Sequence, residues 1–281
     1  MAPLSPERLK AYRAQTYHST ADLRLRSPQQ AVDFVNQRGF IFFWPIKNTE
    51  LPSLWVAAAG DRPVPNNHDD PGHVTWSWKD ELLGKRLWYY GRVLRHKNAI
   101  LSLEVLPCFY ALSPNYGKYE TDYLDQYRLG KIIYEAKLVY ETLLQNGPLD
   151  SIALRQKTHL SPARFNRALD TLQMEFKILP VGTSKAGAWH YSFVYEVVPR
   201  HFQNIEQEAY PITEKQAQEK LAHLYLLSVG AARPQELASL FRWSKPLTTR
   251  VISALKSRGL LVDEVTISGQ KGIYLALTTL L

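Results

Sequence analysis

Cysteine is all but absent from this sequence. Cys108 is the single cysteine among 281 residues, so no internal disulfide can form and folding must rest on burial. It lies in the apolar run Val105-Leu106-Pro107-Cys108-Phe109-Tyr110, a setting for a buried inert thiol rather than a nucleophile. No uncharged apolar stretch reaches the roughly 18 residues that a membrane-spanning helix needs. The start, Met1-Ala2-Pro3-Leu4-Ser5-Pro6-Glu7, lacks the basic segment and apolar run of a signal peptide. A soluble cytoplasmic protein without membrane contact is expected. A phosphate-cradling glycine loop of P-loop or dinucleotide type is also missing. That argues against an ATPase or a nicotinamide enzyme, and no cofactor is expected.

What is present suits a folded protein. Hydrophobic residues make up 45% and charged residues 21%, enough apolar material for real cores without metal or disulfide staples. The length fits two ordinary domains or three small ones. Thirty-four Lys and Arg against 26 Asp and Glu leave a formal charge of +8. Such a balance favours polyanionic partners: nucleic acid first, then anionic membrane surfaces or nucleotide-like ligands.

Periodicity gives the fold class, and it is clearest near the C-terminus. Thr213 N-caps a helix whose Ala217, Leu221, Leu224 and Leu227 recur at helical spacing up to Gly230. A second helix runs from Arg233-Pro234 to Phe241, and Ser244 caps a third that ends at Gly259. Residues 260–267 and 273–277 then read as two strands around the turn Ser268-Gly269-Gln270-Lys271-Gly272. Three helices and a β-hairpin make a winged helix, a helix-turn-helix variant whose third helix usually enters the major groove. The same plan occurs one module earlier: a helix over 131–145, a short one after Pro148, and a third opened by Ser161-Pro162. Strands are expected over 178–182 and 189–195, and residues 198–212 as a linker. Further upstream, Pro28 to Gln37 reads as a helix ending at Gly39, Phe40 to Ile46 as a buried strand or loop, and 61–73 as a loop.

The densest basic feature is Gly84-Lys85-Arg86-Leu87-Trp88-Tyr89-Tyr90-Gly91-Arg92-Val93-Leu94-Arg95-His96-Lys97. Lys85, Arg86, Arg92, Arg95 and Lys97 can neutralise phosphates, and Trp88 and its tyrosine neighbours offer faces for stacking bases. Arg164 and Arg167 on the third helix of one module, and Lys245 and Arg250 on that of the other, are placed to touch phosphates or base edges. A solvated basic face over an aromatic core is the plainer alternative. The segment Asn66-Asn67-His68-Asp69-Asp70-Pro71-Gly72-His73 crowds histidines and carboxylates into one loop. It lacks helical His spacing and cysteine, so a hydrogen-bonded polar loop is expected there and no metal. Asp69, Asp70, Asp80 and Glu81 are the carboxylates that could serve as a base near a basic groove.

Phe40-Ile41-Phe42-Phe43-Trp44-Pro45-Ile46, Val74-Thr75-Trp76-Ser77-Trp78 and the module over Arg164 to Tyr195 together resemble the AlkZ/YcaQ family. These are bacterial winged-helix DNA glycosylases that unhook interstrand crosslinks and excise alkylated purines. The resemblance covers roughly residue 28 to the end. It implies a third winged-helix module at the N-terminus and a concave basic surface for DNA. Family glycosylases carry Gln-X-Gln or Gln-X-Asp in the buried segment to direct the attacking water; here Phe42 and Trp44 take those two positions, and neither can orient a water as an amide or carboxylate does. A His-bearing motif further on is replaced around Trp78 and Lys79. The resemblance therefore transfers no catalytic residue.

The expected protein is mainly α with small β-hairpins, an α+β chain of tandem winged-helix modules, three in all. The modules are 1–127, 128–205 and 206–281. Its expected partner is double-stranded DNA, alkylated or crosslinked, in the bacterial nucleoid. Three functions fit: recognition of damaged DNA, with or without glycosylase activity; a transcriptional regulator reading a duplex site; and a scaffold using winged helices for protein contacts.

Overall fold

The computed structural model describes residues 3–67, 69–187 and 190–281. Helix α1 (Pro6–Thr16) precedes three copies of one connectivity. The first comprises α2 (Pro28–Arg38), β1 (Phe40–Phe42), α3 (Leu54–Ala59), α4 (Val74–Leu82), β2 (Tyr89–Leu94) and β3 (Lys97–Leu101). Helices α5 (Leu106–Ala111) and α6 (Asp122–Arg128) lead to the second: α7 (Tyr134–Asn146), β4 (Leu149–Asp150), α8 (Ser151–Thr158), α9 (Pro162–Met174), β5 (Ile178–Ser184) and β6 (Ser192–Val197). After α10 (Val198–His201) and α11 (Ile205–Ala209) come α12 (Glu214–Val229), β7 (Ala231–Ala232), α13 (Pro234–Phe241), α14 (Lys245–Ser257), β8 (Leu261–Val265) and β9 (Tyr274–Leu277). Each copy closes an antiparallel sheet with its last strand in the middle: β1-β3-β2, β4-β6-β5 and β7-β9-β8. Helix, strand, two helices and a hairpin in this order is the winged-helix plan.

Local chemistry sets the helix starts. Ser27, Ser53, Asp150, Thr213 and Ser244 each accept a backbone N–H of the first turn through a side-chain oxygen, which satisfies donors a helix leaves open. At α12 the cap is reciprocal, because Gln216 Oε1 accepts from Thr213 N at 2.9 Å. Proline at the start of α2, α9 and α14 costs no hydrogen bond there.

Residues 198–212, expected as a linker, join the second and third copies through α10 and α11, with Ile205 and Ala209 buried in the largest core beside α5. The N-terminal segment touches the first copy, where Arg13 pairs with Glu50 at 3.1 Å and Tyr17 donates to Glu50 Oε2 at 3.3 Å, and it also docks on the third. Tyr12 donates to Leu227 O at 2.8 Å, Arg13 to Val229 O and Ala231 O at 2.9 Å each, and Thr16 to Ser228 O at 2.6 Å. These donors cover the open carbonyls at the end of α12, where a cation is also favoured by the helix dipole. Leu4 N donates to Thr266 O at 2.8 Å and adds a parallel bridge at Ile267. The expected strand over 189–195 begins at Ser192; Trp189 lies outside the described residues.

The first and second copies meet along β2, the exposed edge of its sheet. Helix α9 covers that edge: Gln173 Oε1 accepts from Arg92 N at 3.3 Å, and Arg92 pairs with Asp170 at 2.5 Å. Covering an edge strand removes a template for unwanted pairing. Just before β2, Gly84 sits at φ +77° against β5, and a Cβ there would lie 2.4 Å from the Val181 carbonyl oxygen. Gly84→Ala therefore meets both backbone strain and a backbone clash. It should lower stability by about 1–3 kcal/mol, read as a shift in the urea midpoint; an unchanged midpoint would show that this junction yields freely.

Candidate nucleic-acid interface

The aromatic-basic segment splits into parts with different surroundings. Trp88 and Tyr90 are buried in the core of the first copy, and Tyr89 in the core on the opposite face. Tyr89 lies 5.3 Å from the Phe176 ring and 6.2 Å from Phe202. These rings bind the copies together, so Trp88, expected as a stacking face, is not available to a base. Alternation along β2 explains the error: its aromatic residues feed two cores, one on each side of the sheet. Lys85 pairs with Glu81 at 3.0 Å, and exposed Arg86 stands at φ +54° near His201. Arg92 lies within β2 and Arg95 just past its end, separated from Lys85 and Arg86 by the buried Trp88, Tyr89 and Tyr90. Arg95 bonds Thr49 Oγ1, and Lys97 is exposed at the start of β3. One cluster in sequence is thus two patches in space.

The second patch borders a cleft of about 320 Å³ where all three copies converge. Val93 to Arg95 form one wall, Met174 and Phe176 from the end of α9 another, and Gln218 with Leu221 of α12 the third. Phe241 at the end of α13, with Arg242 and Trp243 in the turn before α14, completes it. Phe241 and Trp243 stack with centroids 4.6 Å apart and planes at 20°. Arg242, in a left-handed conformation at φ +58°, reaches His96 Nε2 at 3.5 Å. Arg250 donates to the buried Gln218 Oε1 at 3.1 Å, which leaves the Gln218 amide nitrogen free of that bond. Arginines beside a stacked aromatic pair and an amide form a lining suited to anionic and planar groups. Arg242 and Trp243 escaped the sequence reading; the run Phe-Arg-Trp between two capped helices was the available signal.

The third helices are only partly open. The Asp170 and Gln173 side of α9 lies on β2, while Arg164 and Arg167 are exposed on its first turns. Arg164 pairs with Glu135 at 2.6 Å. Lys245 is exposed at the first position of α14, whereas Arg250 turns toward Gln218.

The segment after β1 is aromatic and closed. Phe42 is fully buried, pairs with Ala99 and bridges Ser53. Trp44 packs within 6.0 Å of the rings of Phe43, Trp55, His73 and Trp76. In the neighbouring loop Asp70 is held by Arg62 at 2.5 Å and by Gly72 N at 2.7 Å, and the guanidinium keeps its carboxyl below the usual range. Asp69 is exposed, and His68 lies outside the described residues. Asp80 belongs to a different constellation. Lys79, buried on α4, places Nζ 2.6 Å from Asp80 Oδ1 and 2.8 Å from the Tyr191 hydroxyl, which itself donates to Asp80 Oδ1 at 2.9 Å.

These features define a class: a winged-helix protein of three copies folded around a shared, arginine-bordered cleft. The family follows from comparison, because the AlkZ-related family model matches residues 25–242 and the chain belongs to that family. Its structure is similar to that of the Streptomyces sahachiroi DNA glycosylase AlkZ, with a TM-score of 0.60 at 13% identity over 99% of this chain and 71% of that one. At that identity the likeness concerns the fold. No curated protein matches the sequence.

The Arg86 patch leaves a thermodynamic signature. Burial, then the Arg86 charge, pushes the His201 pKa down to about 4, against roughly 6.5 in an unfolded chain. Below pH 6.5 the unfolded chain takes up a proton that the folded one resists. Stability should therefore fall as the pH drops from about 6.5 to 4, and Arg86→Ala should narrow that window. Melting curves across this range check both; a curve flat in pH would exclude the coupling.

Proposed function

We propose that this protein binds damaged duplex DNA across the central cleft, with the three winged-helix copies acting together. The observation that carries the reading is the convergence of Arg95, Arg242 and the Phe241–Trp243 stack on one cleft in a chain of charge +8. Cations neutralise phosphates and release counterions, while the ring pair can receive an unstacked base. Arg92, Lys97, Arg164, Arg167, Lys245 and Arg250 extend the basic border, and Lys85 and Arg86 form a separate, secondary contact. Family membership and the likeness to a DNA glycosylase support DNA repair as the setting, in the nucleoid of a bacterial cell. Alkylated or crosslinked DNA is the substrate class we infer from that likeness.

Water-driven base excision is not part of the proposal. Phe42 is sealed in the core and Trp44 is packed among aromatic rings, so neither can hold a nucleophilic water. The nearby carboxylates Asp70, Asp80 and Glu81 are each ion-paired. A regulator reading sequence through its third helices is less favoured, because α9 spends one face on β2.

Two measurements test this reading. Arg95→Glu and Arg242→Glu should each weaken binding to duplexes of any sequence and reduce the salt slope of log K by about 1. Fluorescence anisotropy from low to moderate salt provides the readout, and unaltered affinity and slope would remove the cleft from the interface. Alkylated and crosslinked duplexes incubated with the protein and then cleaved with alkali should give no abasic product above the uncatalysed background. Product formation would show that base excision survives without amides at 42 and 44.

A further inference from the structure

Lys79 is a buried charge that the proposed binding surface does not use. Only 5% of its side chain is exposed. Its Nζ lies 4.5 Å from the Phe193 ring centroid, 5.5 Å from Tyr191, 5.6 Å from Tyr90 and 6.0 Å from Phe43. Phe43 joins this box to the segment after β1 through Trp44. Phe43 and Tyr90 are buried, whereas Tyr191 is 44% exposed and forms the outer wall. An ammonium held only to fix the fold would gain as much from Asp80 at the surface. Here it is instead desolvated against four rings with one carboxylate and one phenol in reach.

We infer that Lys79 is an amine nucleophile that condenses with an aldehyde, the ring-opened deoxyribose of an abasic site in DNA. The inference rests on the DNA-binding reading above. The chemistry balances without an external oxidant or reductant. Asp80 accepts one proton from the ammonium and frees the nitrogen lone pair, which attacks C1′ of the aldehyde. A neutral carbinolamine results as the added nitrogen gives one proton to the Tyr191 phenol oxygen and the phenol passes its own to the carbonyl oxygen. The proton on Asp80 then leaves with that hydroxyl as water, and the C–O bond breaks as the C=N bond forms. The product is an iminium on Lys79 that keeps the original positive charge, and one water is released. Desolvation favours the free amine, and burial does lower the Lys79 pKa. Tyr191 is the exposed wall of the box and Asp80 lies on the same helix as Lys79, so the aldehyde approaches Nζ from the Tyr191 side with both groups in reach.

Borohydride reduction of the iminium gives a stable secondary amine, so trapping tests the idea directly. The full-length protein is mixed with a duplex containing one preformed abasic site, sodium borohydride is added, and the covalent adduct is resolved on a denaturing gel. An adduct whose peptide mass maps to Lys79 is expected. It should be lost in Lys79→Arg, which keeps the cation, and in Lys79→Met, with far-ultraviolet circular dichroism reporting that both fold. Asp80→Asn should slow trapping by about 100-fold or more. No adduct while anisotropy shows the abasic duplex bound overturns the inference and leaves the binding reading intact. No adduct and no binding overturns both. An adduct mapped to another amine, or one that persists in Lys79→Arg, also overturns it.

Discussion

The covering of β2 is the constraint on which the rest of the molecule depends. A three-stranded winged-helix sheet leaves an edge, and in the first copy that edge strand carries buried side chains on both of its faces. Helix α9 closes it with the Arg92–Asp170 pair and the Gln173 amide. Because α9 is the third helix of the second copy, the face a solitary winged helix would offer to DNA is partly spent inside the protein. The wing of the same copy crosses onto α4, where Tyr191 and Phe193 close the box around Lys79. With that face turned inward, the cleft where the three copies converge keeps Arg95 and Arg242 on its border.

Polar groups also stabilise the junctions. Lys177, near the end of α9, donates to Asn115 Oδ1 at 2.9 Å and lies 5.5 Å from the Tyr140 ring. Asn115 in turn donates to Glu175 O at 2.9 Å. Burial pushes Lys177 down and Glu175 up, to about 8 and about 7, so each is easier to neutralise than its free counterpart. A buried polar network of this kind adds less stability than apolar packing would, but it penalises any arrangement that separates its members. It ties the segment after α5 to the second copy, as Arg13 ties α1 to the third. Junctions of this sort fix how the walls of the cleft stand relative to one another.

How much of this was legible beforehand varies by element, for physical reasons. Caps and helical periods carry short-range information, so Thr213, Ser244 and Ser161-Pro162 located their helices well. The hairpins of the last two copies followed from the change of period. The segment from Lys85 to Lys97 misled because composition does not say which face of a strand is covered. Trp88, Tyr89 and Tyr90 look like a stacking surface until α9, α10 and β5 are seen to bury them. The docking of α1 on the third copy was invisible, since it is built from side-chain bonds to backbone carbonyls more than 200 residues away. Lys79 was legible only as a departure from the family pattern; its box needs Tyr191 and Phe193, which lie over 100 residues further on.

The aromatic character of the segment after β1 has a consequence for chemistry nearby. Phe42 and Trp44 place aromatic rings rather than hydrogen-bond acceptors in this segment, with Phe42 fully buried and Trp44 packed on Phe43 and Trp55. In a dry setting a carboxylate or ammonium interacts more strongly with whatever it touches. Lys79 lies beside these rings, its Nζ flanked by Phe43, Tyr90 and Phe193 and 2.6 Å from Asp80, which stays partly exposed. Phe42 and Trp44 offer no hydrogen-bond acceptor to an attacking water, whereas the Lys79 amine is already tethered to α4 beside them. A desolvated amine among aromatic rings is the feature on which the proposed Lys79 chemistry draws.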